Sequence, residues 1–234
     1  MMDEKNIPFL GIMMLDTNFP RVLGDAGNES SYMFPVRIHI VKGAGSLDLV
    51  KDEMPSEEII QLFCKAAKKL EFDGAFAIIS TCGFLIAIQD TIADAVSIPV
   101  MVSALSLYPK IYKKFGEGSV GVITASFKSL GDIALRAAGL KRHEVCIAGM
   151  EDCSAFSDAI LQLKNDQLQK IDTLTIENFI VNKALLLKER QPNISVFLLE
   201  CTNLPPYKQA IERATGCPVY SIIDVAEALM NDTL

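Results

Sequence analysis

Two cysteines, Cys82 and Cys201, stand at equivalent points of two stretches that read alike. In the first, the apolar, β-rich run Ala75 to Ile79 ends in Ser80-Thr81-Cys82-Gly83, and Phe84 to Val96 then has the pattern of a helix. In the second, the apolar strand Ile194 to Glu200 runs into Cys201-Thr202-Asn203. A helix from about Pro205 to Thr215 follows, with its prolines in the first turn where they are tolerated. Aligned on the cysteines the two regions need no gap: Ile92 falls on Ile211, Ala95 on Ala214, and Pro99-Val100 on Pro218-Val219. Each cysteine is therefore expected at the carboxyl end of a buried parallel strand, just before a helix. Open α/β sheets bind ligands there, and the helix dipole favours a thiolate and attracts a substrate carboxylate. A single free cysteine is ordinarily a small buried hydrophobe. Recurrence at the matched point of an internal repeat is what sets this pair apart.

The elements that must position the pair follow from the same patterning. Ile7 to Leu15 reads as the first strand and Gly118 to Ala125 as its counterpart in the second half, each with a central glycine, Gly11 and Gly121. The first strand leads into Asp16-Thr17, donors and acceptors at a sheet edge where ligands bind, although such residues also simply turn the chain. From Asp16 to Pro35 the chain has no periodicity and is rich in Asn, Gly, Ser and Pro; loops of this length in compact domains are commonly functional. This loop holds Arg21, whose planar fork suits a carboxylate, and which could equally be a plain surface arginine. Val36 to Val41 alternates as a strand, and Ser56 caps a helix with Glu57 and Glu58 in its first turn and Ile59, Phe63, Ala66, Ala67 and Leu70 on one face. A strand at Pro99 to Val102 and a helix from about Ser106 to Phe115 complete the first half. The second half continues with a helix from about Leu130 to Ala138 stopped by Gly139, a strand at Val145 to Ala148, and helices around Ser154 to Gln169 and Asp172 to Arg190.

Bulk properties exclude several classes. The 234 residues suffice for one large or two small domains. Half of them are hydrophobic, yet no apolar run reaches the length of a membrane span, and the acidic, polar MMDEKN start lacks the pattern of a signal peptide. A net charge of -7 gives no electrostatic footprint for nucleic acid and would be repelled by an anionic membrane surface. The six cysteines include no C-x-x-C pair, and His39 and His143 are far apart in sequence, so neither a metal site nor a disulfide framework is expected. A reducing, cytoplasmic compartment fits this usage. Cys64, Cys146 and Cys217 read as packing residues, and Cys153, in a loop, as inert.

With LDTNFPRVLGD after the first strand, STCGF at the first cysteine and ECTNLPPY at the second, almost the whole chain resembles the aspartate/glutamate racemase superfamily of cofactor-independent enzymes. The resemblance implies an α/β fold of two similar flavodoxin-like domains with parallel sheets, related by pseudo-twofold symmetry, with the active-site cleft between them. It divides the chain into residues 1–103 plus 222–234 and residues 104–221, a terminal helix crossing between the two. It implies a homodimer as the common assembly. By the match, Asp16-Thr17, Cys82-Gly83 and Cys201-Thr202 fall on functional positions. Two departures stand out: Gly83 replaces an asparagine after the first cysteine, and Asn203 replaces an ionisable residue after the second Cys-Thr.

Inverting a stereocentre by proton transfer needs a group on each face of the carbon, and two cysteines from facing half-domains meet that need. One, as thiolate, would remove the Cα proton of a small carboxylate substrate, and the other would supply one to the opposite face. Fixed donors must then take up the charge growing on the carboxylate: backbone N–H groups after each cysteine, with Thr81, Thr202 and Asn203, and Thr124 at the end of the second half's first strand. The expectation is thus an isomerase, an amino-acid racemase independent of pyridoxal phosphate and of any other cofactor, with catalytic Cys82 and Cys201. Asp16, Thr17, Arg21, Thr81, Gly83, Thr124, Thr202 and Asn203 would bind its substrate. The alternatives are a maleate-type cis–trans isomerase using a cysteine as nucleophile, a hydantoin racemase, and a non-catalytic protein that binds a small acid.

Overall fold

The computed structural model describes residues 8–231; the MMDEKN start, Ile7 and residues 232–234 lie outside the described residues. Among the described residues, eight strands form two four-stranded sheets that do not mix. In the first, β1 (Phe9–Leu15), β2 (Val36–Val41), β3 (Ala75–Ser80) and β4 (Val100–Met101) lie in the order β2-β1-β3-β4. In the second, β5 (Val120–Thr124), β6 (Val145–Gly149), β7 (Val196–Leu199) and β8 (Val219–Tyr220) repeat the order as β6-β5-β7-β8. Every pairing is parallel. Strands β3, β5 and β7 are apolar almost throughout because helices cover both faces of a parallel sheet. Helices, beginning with the one-turn α1 (Ser46–Leu49), flank both sheets, so the α/β, flavodoxin-type ordering implied by the resemblance is present in each half.

The central glycines of β1 and β5 make room for neighbours. A side chain at Gly11 would press on Leu70 of α2 (Glu57–Phe72), and one at Gly121 would meet the ring of Phe197, its partner across β7, at 2.6 Å. Helix α2 begins as expected, with the Ser56 hydroxyl accepting the Ile59 N–H, and buries Ile59, Phe63, Ala66, Ala67 and Leu70.

Several helices are shorter than their periodicity predicts. After Cys82 the chain forms a 3-10 helix, Gly83–Ile88, and only then α3 (Gln89–Ala93). The Ser106–Phe115 region is likewise a 3-10 turn, Ala104–Leu107, followed by α4 (Tyr108–Phe115), and α5 covers Asp132–Ala137. The largest difference is α6 (Ser154–Ile160), which stops nine residues before the expected Gln169. From residue 161 to 172 the chain instead runs as a strap toward the first half. Asn18 N–H donates to Gln167 Oε1 at 2.7 Å, Lys164 pairs with Asp16 at 2.6 Å, and Gln169 Nε2 reaches the Asn18 carbonyl at 3.1 Å. These polar side chains leave the helix pattern because partners about 150 residues away satisfy them. Helix α7 (Thr173–Arg190), capped by Asp172, follows expectation, whereas the helix expected from Pro205 opens as a 3-10 turn, Pro205–Tyr207, before α8 (Lys208–Thr215). The last helix, α9 (Ile222–Met230), packs on β3 and on Ala104–Leu107. No helix among the described residues is long and apolar enough to cross a membrane.

Candidate active site

Both cysteines sit where a strand gives way to a turn. Cys82 follows β3 by two residues and caps the 3-10 helix Gly83–Ile88. Its backbone is fixed by Ser80, whose hydroxyl donates to the Val102 carbonyl at 2.6 Å and accepts the Cys82 N–H at 3.2 Å. The Thr81 hydroxyl accepts the Leu15 N–H at 3.1 Å, tying this turn to the end of β1. Cys201 follows β7 by two residues, held because Glu200 N–H donates to the Ile123 carbonyl at 2.9 Å and Leu204 N–H returns to the Cys201 carbonyl at 3.1 Å.

The two turns line one cavity: Thr81, Cys82 and Gly83 from the first half, Glu200, Cys201, Thr202 and Asn203 from the second. Apolar side chains close it, among them Leu15, Val50, Phe84, Ile160 and Leu161. Its free volume is only about 20 Å³, room for roughly one water, against ~300 Å³ or more for an open ligand pocket. Cys82 and Cys201 are 5% and 6% exposed. This is a closed site, and a substrate enters only if the apolar cover moves.

Burial also reverses one expectation. The start of the 3-10 helix does aim the Phe84 and Leu85 N–H groups at the Cys82 sulfur, and Arg21 adds attraction. Burial, aided by the charge of Glu200, outweighs them and pushes the Cys82 thiol up to about 12. The Cys201 thiol is held well above the ordinary value by burial and then by Glu200, with the Asn203 N–H opposing and Cys82 and Asp25 adding repulsion. Neither cysteine is a thiolate in the closed state. Cys82, the one with a nearby guanidinium, is the easier to ionise.

Glu200 and Asp25, which periodicity alone does not single out, are central here. Glu200 is fully buried; its Oε2 accepts the Thr124 hydroxyl at 2.7 Å and its Oε1 has no partner. Burial raises its carboxyl to about 7 against the pull of Thr124 and the Ala125 N–H. Gly83 explains how it fits: a Cβ there would run into both the carbonyl oxygen and Oε1 of Glu200. Glycine in place of the family's asparagine is thus the complement of a glutamate at 200. Asp25 anchors the other side. It accepts Asn203 Nδ2 at 2.8 Å, Gly27 N–H at 2.7 Å and Arg21 Nη1 at 3.2 Å, while the Cys201 thiol donates to Asn203 Oδ1 at 3.6 Å. Ala26 N–H donates to the Thr202 carbonyl at 3.2 Å, so the Asp16–Pro35 loop is bound directly to the second cysteine turn.

Of the residues singled out by sequence, Cys82, Cys201, Thr81, Gly83, Thr202 and Asn203 share the cavity. Thr202 Oγ1 is buried there without a partner. Thr124, Asp16, Thr17 and Arg21 do not line it. Thr124 faces Glu200. Arg21 engages Asp25 and, through Nη2, Thr17 Oγ1 at 2.9 Å, and stacks on Phe19 at 4.2 Å. Asp16 meets Lys164, Lys42 and the Gly43 N–H, and the Lys164 hydrogen bond foremost holds its carboxyl below the ordinary aspartate value. The remaining cysteines pack elsewhere: Cys64, Cys153 and Cys217 are buried and Cys146 is half-buried in β6. Among the described residues no group of three or more His, Cys, Asp or Glu is placed to hold a metal ion.

The chain is 31% identical over 225 residues to a dimethylsulfoniopropionate lyase of Durusdinium sp. clade D, and 30% identical over 224 residues to dimethylsulfoniopropionate lyase 7 of Emiliania huxleyi. These matches cover 93% and 92% of this chain, but 72% and 64% of the relatives, which are longer proteins. In fold it is similar to unliganded arylmalonate decarboxylase, with a TM-score of 0.61 and 16% identity over 96% of this chain and 92% of that one. A sequence profile described as Asp/Glu/Hydantoin racemase matches residues 35–232, which include both cysteine turns. Two parallel sheets of like order, each delivering a cysteine to one cavity, are thus the framework of a chain that belongs to the Asp/Glu/Hydantoin racemase family.

Proposed function

We propose that this protein is a cofactor-independent enzyme that removes the Cα proton of a small carboxylate with a cysteine thiolate, and that its reaction is β-elimination from a sulfonium acid such as dimethylsulfoniopropionate. The observation that carries the reading is the placement of Cys82 and Cys201 on one small, water-poor cavity. The names of the relatives supply the leaving group. Cys82 is the base, because Arg21 and two N–H groups favour its ionised form. It takes the proton next to the carboxylate; the electron pair left on Cα forms a double bond to Cβ, and the Cβ–S bond breaks to release dimethyl sulfide and acrylate. A leaving group on Cβ relieves the problem of a weakly acidic Cα–H, since the carbanion need not be stored. The backbone N–H groups of the two turns and the unpartnered Thr202 hydroxyl take up the charge growing on the carboxylate. Among the described residues Glu200 is the one charged side chain lining the cavity, so a zwitterion carrying a methylated cation suits it better than a dianion.

A second reading, an amino-acid racemase acting on aspartate or glutamate, is favoured by the matched pair of thiols, which elimination does not strictly require. Incubating the protein in D2O with dimethylsulfoniopropionate, L-aspartate and L-glutamate separates the two. Dimethyl sulfide in the headspace with acrylate in the NMR spectrum, lost in Cys82→Ala and reduced but measurable in Cys201→Ala, supports elimination. Deuterium at Cα with racemisation, abolished by either substitution, moves the assignment to a racemase. A silent panel refutes both.

A further inference from the structure

The cysteine cavity contains a group that the scheme above leaves idle. Glu200 is fully buried, its Oε2 is held by the Thr124 hydroxyl, and its Oε1 has no partner. The space vacated by the missing Gly83 side chain holds that carboxyl, which places it against the residue following Cys82 and directly before Cys201 in the chain. Its negative charge bears on both thiols. The other charged groups around the site are Asp25 and Arg21, which pair with each other beyond Asn203. Among the described residues no Lys, Arg or His lines the cavity itself.

Making a thiolate in this setting raises a problem of charge. If Cys82 lost its proton to bulk water while Glu200 stayed ionised, two anions would share a closed volume of about 20 Å³. A transfer inside the cavity leaves its net charge unchanged. We propose that Glu200 is the internal acceptor of the thiol proton, relayed by the one water for which the cavity has room: the Sγ–H bond of Cys82 breaks, an O–H bond forms at Oε1, and the electron pair remains on sulfur. In the elimination reading, on which the catalytic use of this step rests, the new thiolate removes the Cα proton and becomes a thiol again. Glu200 then gives its proton to water when the site opens. The single proton released accounts for the overall conversion of a sulfonium acid to dimethyl sulfide and acrylate.

The pairing is tested without any substrate, by the pH dependence of Cys82 alkylation with iodoacetamide followed by peptide mass spectrometry. A wild-type rate that rises with the ionisation of Glu200, near pH 7, and again with thiol ionisation at alkaline pH is expected. In Glu200→Gln the near-neutral limb disappears and the rate at pH 7 falls at least tenfold. In Thr124→Val, which keeps the carboxylate and removes its donor, the limb moves to higher pH; this variant carries the test if Glu200→Gln does not fold. A wild-type profile with only the alkaline limb overturns the proposal. So does a Glu200→Gln protein that alkylates faster than wild type at pH 7, the outcome for a carboxylate that merely repels the thiolate. Because the readout needs no substrate, a protein silent toward dimethylsulfoniopropionate but with the near-neutral limb refutes the elimination reading and leaves the Glu200 assignment standing.

Discussion

Replacing Gly83 by alanine adds one methyl group at a point where the fold has no space for it. Gly83 is not in the left-handed region of backbone conformation, so the penalty is one of volume alone. The added Cβ meets two obstacles on Glu200. Oε1 belongs to a side chain and can rotate, at the cost of the Thr124 hydrogen bond. The carbonyl oxygen cannot, because the Glu200 N–H is tied to Ile123 on β5. Forcing a methyl group into packed interior typically costs ~1–3 kcal/mol, and leaving a buried carboxylate without its donor adds ~1–3 kcal/mol. The expected loss is about 4 kcal/mol, or a fall in Tm of roughly 10 °C for a chain of this size, measured by circular dichroism. Glu200→Ala in the same chain removes the side-chain obstacle and leaves the carbonyl one, so the double mutant should recover about half of the loss relative to additivity. A Gly83→Ala protein melting within a degree of wild type would refute this account of the turn.

Glu200 itself should leave a mark on stability. Its carboxyl is raised from 4.5 to about 7 by burial, so its stabilising contribution is full below pH 4.5 and is lost as pH rises through about 7. That difference is worth about 3 kcal/mol. Glu200→Gln should therefore gain stability relative to wild type between pH 5 and pH 8 in urea titrations; parallel curves at both pH values would contradict it. Gln167→Ala removes the acceptor of the Asn18 N–H and should weaken the 161–172 strap by ~1–3 kcal/mol, seen as faster hydrogen exchange in that segment and faster alkylation of Cys82. Asp25→Asn leaves the Arg21 charge without its buried partner and should cost ~3–5 kcal/mol; an unchanged melting temperature would show that the loop does not depend on this pair.

The sequence announces the strands and the cysteines because both are local signals. An apolar β-rich run such as Ile194 to Leu199 and a cysteine at its end need no distant information, and the internal alignment of Cys82 with Cys201 identifies the two turns that meet. The helices after Cys82 and after Ser154 are read too long because periodicity persists where the hydrogen bonds do not. Lys164 and Gln167 leave the helix for Asp16 and Asn18, partners no local window contains. Glu200 escapes notice for the same reason. An acid at a strand end ordinarily points to water, and its burial depends on Thr124 and on the bare Cα of Gly83, 76 and 117 residues away. Asp25 sits in an aperiodic loop and acquires meaning only through Asn203. The segments LDTNFPRVLGD and ECTNLPPY contain both acids; what singles them out is long-range contact.

The two halves share a strand order but differ at the residues beside their sulfurs. Where the first half has Thr81 and Gly83 around its cysteine, the second has Glu200 and Thr202, and the Arg21 guanidinium favours ionisation of the first thiol. A reaction whose equilibrium constant is one must run equally in both directions, and it is served best by donors and acceptors of equal strength on the two faces. An asymmetric pair instead imposes a polarity on proton traffic. The two turns thus give the site a front and a back, a polarity that the elimination proposed above would use and that a racemisation would not need.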